Sequence, residues 1–479
     1  MGKTYDLAVI GAGSGGLSAA IFGIEVGATV AMIEKDRIGG DCTWNGCVPS
    51  KSLLKAAKAA HHARSADAYG VSPTEPQVDL SRVLGHVHEI VDETYREETP
   101  EVMREKGIDV YLAEARFLDP HTLQVGEETI RARNVVIVSG AHPFVPSIEG
   151  LDEVKYWTYE SVWHMETLPR RLIVVGGGPI GSELSQAFSR LGSQVTQIEA
   201  RDRILTRDEP VASEIMGRVF QQEGIDIRFN SKVEKVWQDE AGVHVLASGD
   251  EIVGDALLVS VGRRPNVDGL DLEKAGVRYS ARGIEVNHKA QTSQPHIYAA
   301  GDCIGSYQFT HYAGWQGTMA ARNALLPGSS KAVRDWVPWT TFTEPEVAHV
   351  GWMESQAREK YGKTVETTTW SMEKVDRARA DVDTEGVVHL VHKGGKVLGV
   401  TIVSARAGEL IHEWLHVVEG RLSVRDVTTS MHVYPTYSRA NVKAGGALLQ
   451  KQLLSGAMGN LVRKVSGAMV KGMRLFRSV

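Results

Sequence analysis

One glycine fingerprint occurs twice in this chain, and few folds accommodate that. Residues 5–16, YDLAVIGAGSGG, run from a buried-strand pattern at Leu7–Ile10 into Gly11, Gly13 and Gly16. Residues 172–181, LIVVGGGPIG, repeat the pattern with Gly176, Gly178 and Gly181. In each copy a glutamate, Glu34 or Glu199, follows the third glycine by 18 positions and ends a second apolar run, ATVAMIE or SQVTQIE. Strand, glycine turn, helix and acid-tipped strand are the parts of a dinucleotide-binding unit. The first glycine allows the tight turn, the second a close backbone approach to pyrophosphate, and the third close helix–strand packing. The acid accepts hydrogen bonds from ribose hydroxyls. One copy would be weak evidence. Two at the same spacing point to two bound dinucleotides.

The repeats organise the rest. A length of 479 residues suggests about three domains of ~100–200 residues. Residues 1–150 hold the first unit and end in NVVIVSGAHPFVPSIEG (134–150), a strand that breaks at Gly140 and enters a Pro-rich crossing. Residues 151–268 hold the second unit and close on DALLVSVGRRPN. HIYAAGDC (296–303) reads as a strand returning to the first domain, so 269–335 is assigned there. After residue 336 the fingerprints stop, and GVVHLVHKGGKVLGVTIV (386–403) reads as an antiparallel hairpin turning at Gly394-Gly395. The predicted fold class is α/β: two Rossmann-like dinucleotide-binding domains plus a C-terminal α+β domain over 336–450.

A net charge of −6 gives no sign of a nucleic-acid binder. The N-terminus runs straight into a strand with no signal-peptide pattern, and no apolar run reaches the ~18 residues of a membrane span. Three cysteines are too few for a secreted disulfide scaffold and suit a reducing, cytoplasmic setting.

Two of those cysteines lie in GGDCTWNGCVPSK (39–51). A structural zinc site normally needs four Cys/His ligands in paired spacings, and only Cys303 remains elsewhere. A staple closing so small a loop adds little stability. A redox pair fits best. On one continuous helix Cys42 and Cys47 would point about 140° apart, so pairing needs an irregular turn, for which Asn45-Gly46 is suitable. Gly39 and Gly40 let the backbone approach a planar ring system, and Lys51 can stabilise a thiolate.

The double fingerprint, the C-x4-C-x-P-S-K motif, Ser139-Gly140, VGRRPN at 261–266 and AGD at 300–302 together resemble the FAD-dependent pyridine nucleotide–disulfide oxidoreductases. That family includes dihydrolipoamide dehydrogenase, glutathione reductase and mercuric reductase. The similarity spans about residues 4–450, and GGDCTWNGCVPSK with PWTTFTEPEVAHVG (338–351) is most like mercuric reductase and its relatives. The resemblance implies FAD at Gly11, Gly13, Gly16 and Glu34, with Gly40, Ser139, Gly140, Gly262, Arg263, Gly301 and Asp302 completing the cofactor sites. It implies NAD(P)H at Gly176, Gly178, Gly181 and Glu199. Cys47 would be the thiol facing flavin and Cys42 the one facing substrate, with Lys51 paired to Glu183. The C-terminal domain would form a homodimer and reach the partner's active site. Glu199 favours NADH, because a carboxylate there repels a 2′-phosphate.

Two departures matter. Where the family's disulfide reductases carry His-Pro and a later glutamate, this chain reads MHVYPTYSRAN (431–441), placing Tyr434 and Arg439 at those positions. A phenol with a pKa near 10 is a poor base at pH 7. On a strand, His432 would face the same side as Tyr434, one period away. No cysteine follows Cys303, whereas mercuric reductase resemblance also requires a C-terminal pair. The expected function is therefore an FAD enzyme passing electrons from NAD(P)H through Cys42 and Cys47 to a metal ion, disulfide or other small acceptor, with no resident metal. A dihydrolipoamide dehydrogenase-type reductase and a flavin redox sensor or tethered scaffold are the alternatives. Residues 451–479 read as a basic amphipathic extension, suited to the dimer, a protein partner or a peripheral membrane surface.

Overall fold

The computed structural model describes residues 3–454 and 464–466. They form two compact units: residues up to Ile204 with Phe220–Val337, and Leu205–Val219 with the residues from Pro338 on.

The first unit contains both nucleotide folds. In one sheet the parallel strands Asp109–Leu112, Val30–Glu34, Thr4–Ile10 and Glu128–Ile137 lie side by side. The last is long enough to have two neighbours on its far edge. Its start pairs with Thr122–Val125, and its end with Ile297–Ala299, the strand expected to return from later in the chain. Leu7 to Ile10 are buried, as a central strand covered on both faces must be. The second sheet orders Asp226–Arg228, Gln194–Ile198, Arg171–Val175 and Ala256–Val259, all parallel. A separate three-stranded antiparallel meander spans Val233–Gly254. The Pro-rich crossing becomes a two-stranded ribbon, Ala141–Pro143 against Arg263–Pro265.

The second unit is built on a five-stranded antiparallel sheet in the order Trp339–Thr341, Glu346–Gly351, Lys396–Ser404, Val387–Lys393, Val365–Ser371. The predicted hairpin is its centre. One row of paired residues, Trp339, His349, Thr401, His389 and Thr369, crosses all five strands. Helices Ala407–Val418, Val424–Thr429 and Arg439–Leu454 complete it.

Three structural details go beyond the local sequence pattern. Residues 205–219, expected with the second nucleotide unit, belong to the second compact unit. The buried Asp208 accepts from the Trp339 indole at 2.8 Å, and the buried Glu209 accepts from the Glu354 amide at 2.5 Å. These donors lie far along the chain, beyond any local pattern. The boundary at 450 falls inside helix Arg439–Leu454. Gly445 does not stop that helix because a Cβ there would meet Thr428 at 2.8 Å, so the glycine serves close packing. Residues 431–434 form no strand. Beyond Leu454, and apart from 464–466, the basic extension lies outside the described residues.

Candidate active site

The sequence between the two cysteines breaks the helix at the predicted place. Helix Gly40–Trp44 ends at Asn45 (φ −130°, ψ −21°), Gly46 is also non-helical (φ −105°, ψ −103°), and helix Cys47–Arg64 begins. The break removes the angular offset a continuous helix would impose. Cys42 and Cys47, free thiols and partly buried, share a hydrogen bond. Cys47 Sγ also lies 3.1 Å from Thr310 Oγ1, at the first residue of helix Thr310–Leu325.

These contacts divide the thiols chemically. The Cys42 hydrogen bond, then the Thr310 hydroxyl and the Lys51 charge, lower Cys47 to about 6 against burial and the Glu183 charge. Its place at a helix N-terminus acts in the same sense. Cys42 moves the other way, raised by donating to Cys47, by burial, by the Cys47 charge and by Glu98. One sulfur is set to be a thiolate, the other to hold the proton.

Lys51, one turn beyond Cys47, donates to Glu183 Oε2 at 2.9 Å. Glu183 is buried on helix Pro179–Leu191, which starts at the second fingerprint. The two helices thus bring the predicted pair together. Arg263 is ion-paired with Asp41 and, at 2.9 Å, with Asp302. Ser139 donates to the Asn266 carbonyl at 2.6 Å, and Asn266 returns a bond to Ser139 O at 2.8 Å. Ser139 therefore joins the two strands of the crossing, beside Gly140.

The fingerprints match atom for atom. Glu34 accepts from Ala12 N–H at 2.8 Å and Asp36 N–H at 3.0 Å; Glu199 accepts from Gly177 N–H at 2.7 Å and Arg201 N–H at 2.8 Å. A Cβ on Gly16 would lie 1.9 Å from the Gly11 carbonyl oxygen, and one on Gly181 2.1 Å from that of Gly176. The middle glycines differ. A Cβ on Gly178 would meet nothing within 4 Å, and one on Gly13 only Gly40 Cα at 3.6 Å. Protein packing does not require glycine at Gly178, whereas a ligand approaching the backbone does. Both following helices lack a side-chain cap and an acid in the first turn, leaving N–H groups for a phosphate. Asp41 Oδ1 is buried with no partner among the described residues. The residues fit FAD in the first fold and a nicotinamide dinucleotide in the second. Gly262 and Gly301 take positive φ at the turns presenting Arg263 and Asp302.

Residues 5–317 match the model of the pyridine nucleotide-disulphide oxidoreductases, and 337–444 match that family's dimerisation domain. The chain belongs to this family. Mercuric reductase of Lysinibacillus sphaericus is 37% identical over 439 residues, covering 90% of this chain and 80% of the relative. Dihydrolipoyl dehydrogenase of Thermus scotoductus is 35% identical over 455 residues, covering 93% and 98%. Among solved structures, the Cu(II) complex of the HOCl-induced flavoprotein disulfide reductase RclA from Escherichia coli superposes with TM-score 0.83 at 27% identity, covering 91% and 98%. LpdA from Mycobacterium tuberculosis gives 0.85 at 26% identity, covering 93% and 99%. Membership makes the chain an FAD-dependent oxidoreductase that uses NAD(P)H and carries a dimerisation domain, which supports a homodimer. No helix among the described residues is long and apolar enough to cross a membrane.

Against the family pattern, Tyr434 is 65% exposed in the second unit and donates to Asp376 Oδ2 at 3.1 Å. That hydrogen bond, with the Asp376 charge, raises its phenol further from neutrality. His432 instead pairs with Glu413: Nε2 is 2.7 Å from Oε1, while Nδ1 lies 3.0 Å from the Ser430 carbonyl. Asn441 fixes the same carboxylate through a 2.8 Å bond. Sequence reasoning missed Thr310 and Glu413. Neither carries a local signal, since each acts on a residue distant in sequence.

Proposed function

We propose that Cys42 and Cys47 are the redox pair of this oxidoreductase, that NADH is its preferred reductant, and that its acceptor is a thiophilic metal ion. Bound FAD would supply the two-electron relay between the nicotinamide and the disulfide. The first fold holds FAD through Gly11, Gly13, Gly16, Glu34, Gly40 and Asp302; the second holds NAD(P)H through Gly176, Gly178, Gly181 and Glu199. Lys51, held by Glu183, and Thr310 stabilise the Cys47 thiolate. Cys42 keeps the proton and is the sulfur that meets the acceptor.

The observation that carries this reading is the helix break that puts Cys42 beside Cys47, with Cys47 3.1 Å from the Thr310 hydroxyl and one turn from the Lys51–Glu183 pair. A metal ion captured by sulfur displaces the Cys42 proton to solvent and leaves no thiolate to be protonated, which suits a chain with Tyr434 and Arg439 at the dyad positions. RclA, similar in fold, forms a Cu(II) complex, which is in keeping with such an acceptor. The test is steady-state turnover of Cu(II), Hg(II), dihydrolipoamide and quinones with NADH and with NADPH. Metal reduction with an NADH preference, lost in Cys42→Ser, is expected. Quinone turnover unaffected by Cys42→Ser would sink the reading.

A second reading rests on the His432–Glu413 pair. An imidazole held by a carboxylate can take and return a proton, as a disulfide reductase requires. Dihydrolipoamide turnover abolished by His432→Asn and retained in Tyr434→Phe would favour it.

A further inference from the structure

The residues from Asp41 to Asn45 are tied to neighbours outside the redox turn. Asp41 is ion-paired with Arg263, whose Nε donates to Tyr159 Oη at 3.0 Å. Thr43 Oγ1 donates to Glu98 Oε2 at 3.0 Å. The Trp44 ring contacts Tyr95, with centroids 4.7 Å apart, and the Arg37 guanidinium at 3.9 Å. The Asn45 carbonyl accepts from the Trp163 indole at 2.9 Å, and that N–H is shared with Tyr159 O at 2.7 Å. None of these contacts involves sulfur, so opening the S–S bond breaks none of them directly.

We propose that these ties form a clamp holding Cys42 against Cys47 after the S–S bond opens, with Thr43 and Trp163 as positioning residues that set the thiol–disulfide equilibrium. The proposal rests on reading the two cysteines as the redox pair. An unrestrained turn would gain conformational freedom on reduction, which favours the dithiol. A turn fixed from outside has little freedom to regain, so its thiols keep a high effective concentration and the disulfide resists reduction. Persistent contact also keeps Cys42 as hydrogen-bond donor to Cys47. The clamp therefore makes the pair both a strong reductant and a thiol–thiolate couple.

With glutathione as reductant, two glutathione thiols lose two electrons and two protons and become glutathione disulfide. The Cys42–Cys47 bond breaks. Cys42 takes one proton, Cys47 remains a thiolate, and the second proton enters solvent.

The experiment equilibrates the holoenzyme with glutathione buffers, quenches in acid, and counts free thiols by maleimide mass shift. Thr43→Val and Trp163→Phe should each move the equilibrium toward dithiol by about 3- to 10-fold, the scale of one hydrogen bond. Each tenfold corresponds to about 30 mV for a two-electron couple. The double variant should show roughly the product, and Thr43→Ser should stay within about twofold of wild type. Should Trp163→Phe fail to fold, Trp44→Leu releases the turn from Tyr95 and Arg37 instead. Folded variants whose equilibrium constants stay within about twofold of wild type would overturn the clamp, whatever their melting temperatures. If oxidised glutathione never links Cys42 to Cys47 in wild type, the redox reading fails, and the clamp with it.

Discussion

Replacing Cys42 by alanine removes the largest influence holding Cys47 acidic, and the size of the effect follows from the contacts. Cys47 sits at about 6, with the Cys42 hydrogen bond first among the causes and burial opposing. A hydrogen bond to a charged group is worth about 1.5–3 kcal/mol, or about one to two pKa units at 1.36 kcal/mol per unit. Cys42→Ala should therefore raise Cys47 to about 7–8, lowering its thiolate fraction at pH 7 from about nine-tenths to between a half and a tenth. Cys42→Ser keeps a hydroxyl donor and should stay within about half a unit of wild type. The assay is the pH dependence of iodoacetamide alkylation, followed by peptide mass spectrometry. In both variants Cys303 is the only other thiol; it is fully buried and pushed up to about 11, so Cys47 alone reacts. Adding Thr310→Val to Cys42→Ala should raise Cys47 again, since the hydroxyl 3.1 Å away is then lost. Equal apparent pKa values for the alanine and serine variants would refute the reasoning, because the donor would then contribute nothing.

The charges around Cys47 should act with opposite signs: in the same assay Lys51→Met raises its pKa and Glu183→Gln lowers it, in the directions of their present effects. Shifts of the same sign would indicate rearrangement instead. Asp208 is raised by burial to about 7 from 3.8, so the folded state binds its proton more tightly than the unfolded chain. Its contribution is lost as pH rises from about 4 to about 7, on the order of 4 kcal/mol in all. Asp208→Asn should thus show a stability gain in urea that grows between pH 5 and pH 8, and a constant gain would contradict this. His349 is lowered by burial to about 4 from 6.5, the opposite case: its contribution is lost as pH falls from about 6.5 to about 4. His349→Gln should move the acid unfolding midpoint down, and an unchanged midpoint would exclude His349 as a source of acid sensitivity.

What the sequence made legible was local. Each fingerprint lies within about 30 residues as strand, turn, helix and acid, so hydrophobic period and glycine spacing expose it without tertiary information. The Asn45-Gly46 break was visible for the same reason. Thr310 stands 263 positions from Cys47, and nothing in its surroundings marks it as a sulfur ligand. Arg263 was visible as part of VGRRPN, but its ion pairs with Asp41 and Asp302 depend on the ribbon formed by the crossing. The placement of residues 205–219 was illegible for an energetic reason. Asp208 and Glu209 resemble a solvated charge pair in sequence, and only donors from Trp339 and Glu354 make their burial tolerable.

The distribution of proton chemistry separates this chain from an ordinary disulfide reductase. Reducing a disulfide substrate expels a thiolate that must be protonated, so an acid that gives up its proton near neutrality has to be reprotonated each turnover. Tyr434 cannot meet that need, because its hydrogen bond to Asp376 stabilises the protonated phenol. Arg439 offers only hydrogen-bond donors and no acceptor. His432 lies two residues from Tyr434, and Glu413, Asn441 and Trp414 form one hydrogen-bonded chain behind it. Asn441 and Trp414 are buried, so the imidazole is positioned from the core of its unit. Two acceptor classes therefore make different demands on the same fold. A metal ion held by sulfur displaces the Cys42 proton to solvent as it binds, and no leaving thiolate then has to be protonated. A disulfide uses Cys42 and Cys47 only if His432 can reach the leaving sulfur. The acidity of Cys47 is common to both, which makes the acceptor's own protonation requirement the property that decides between them.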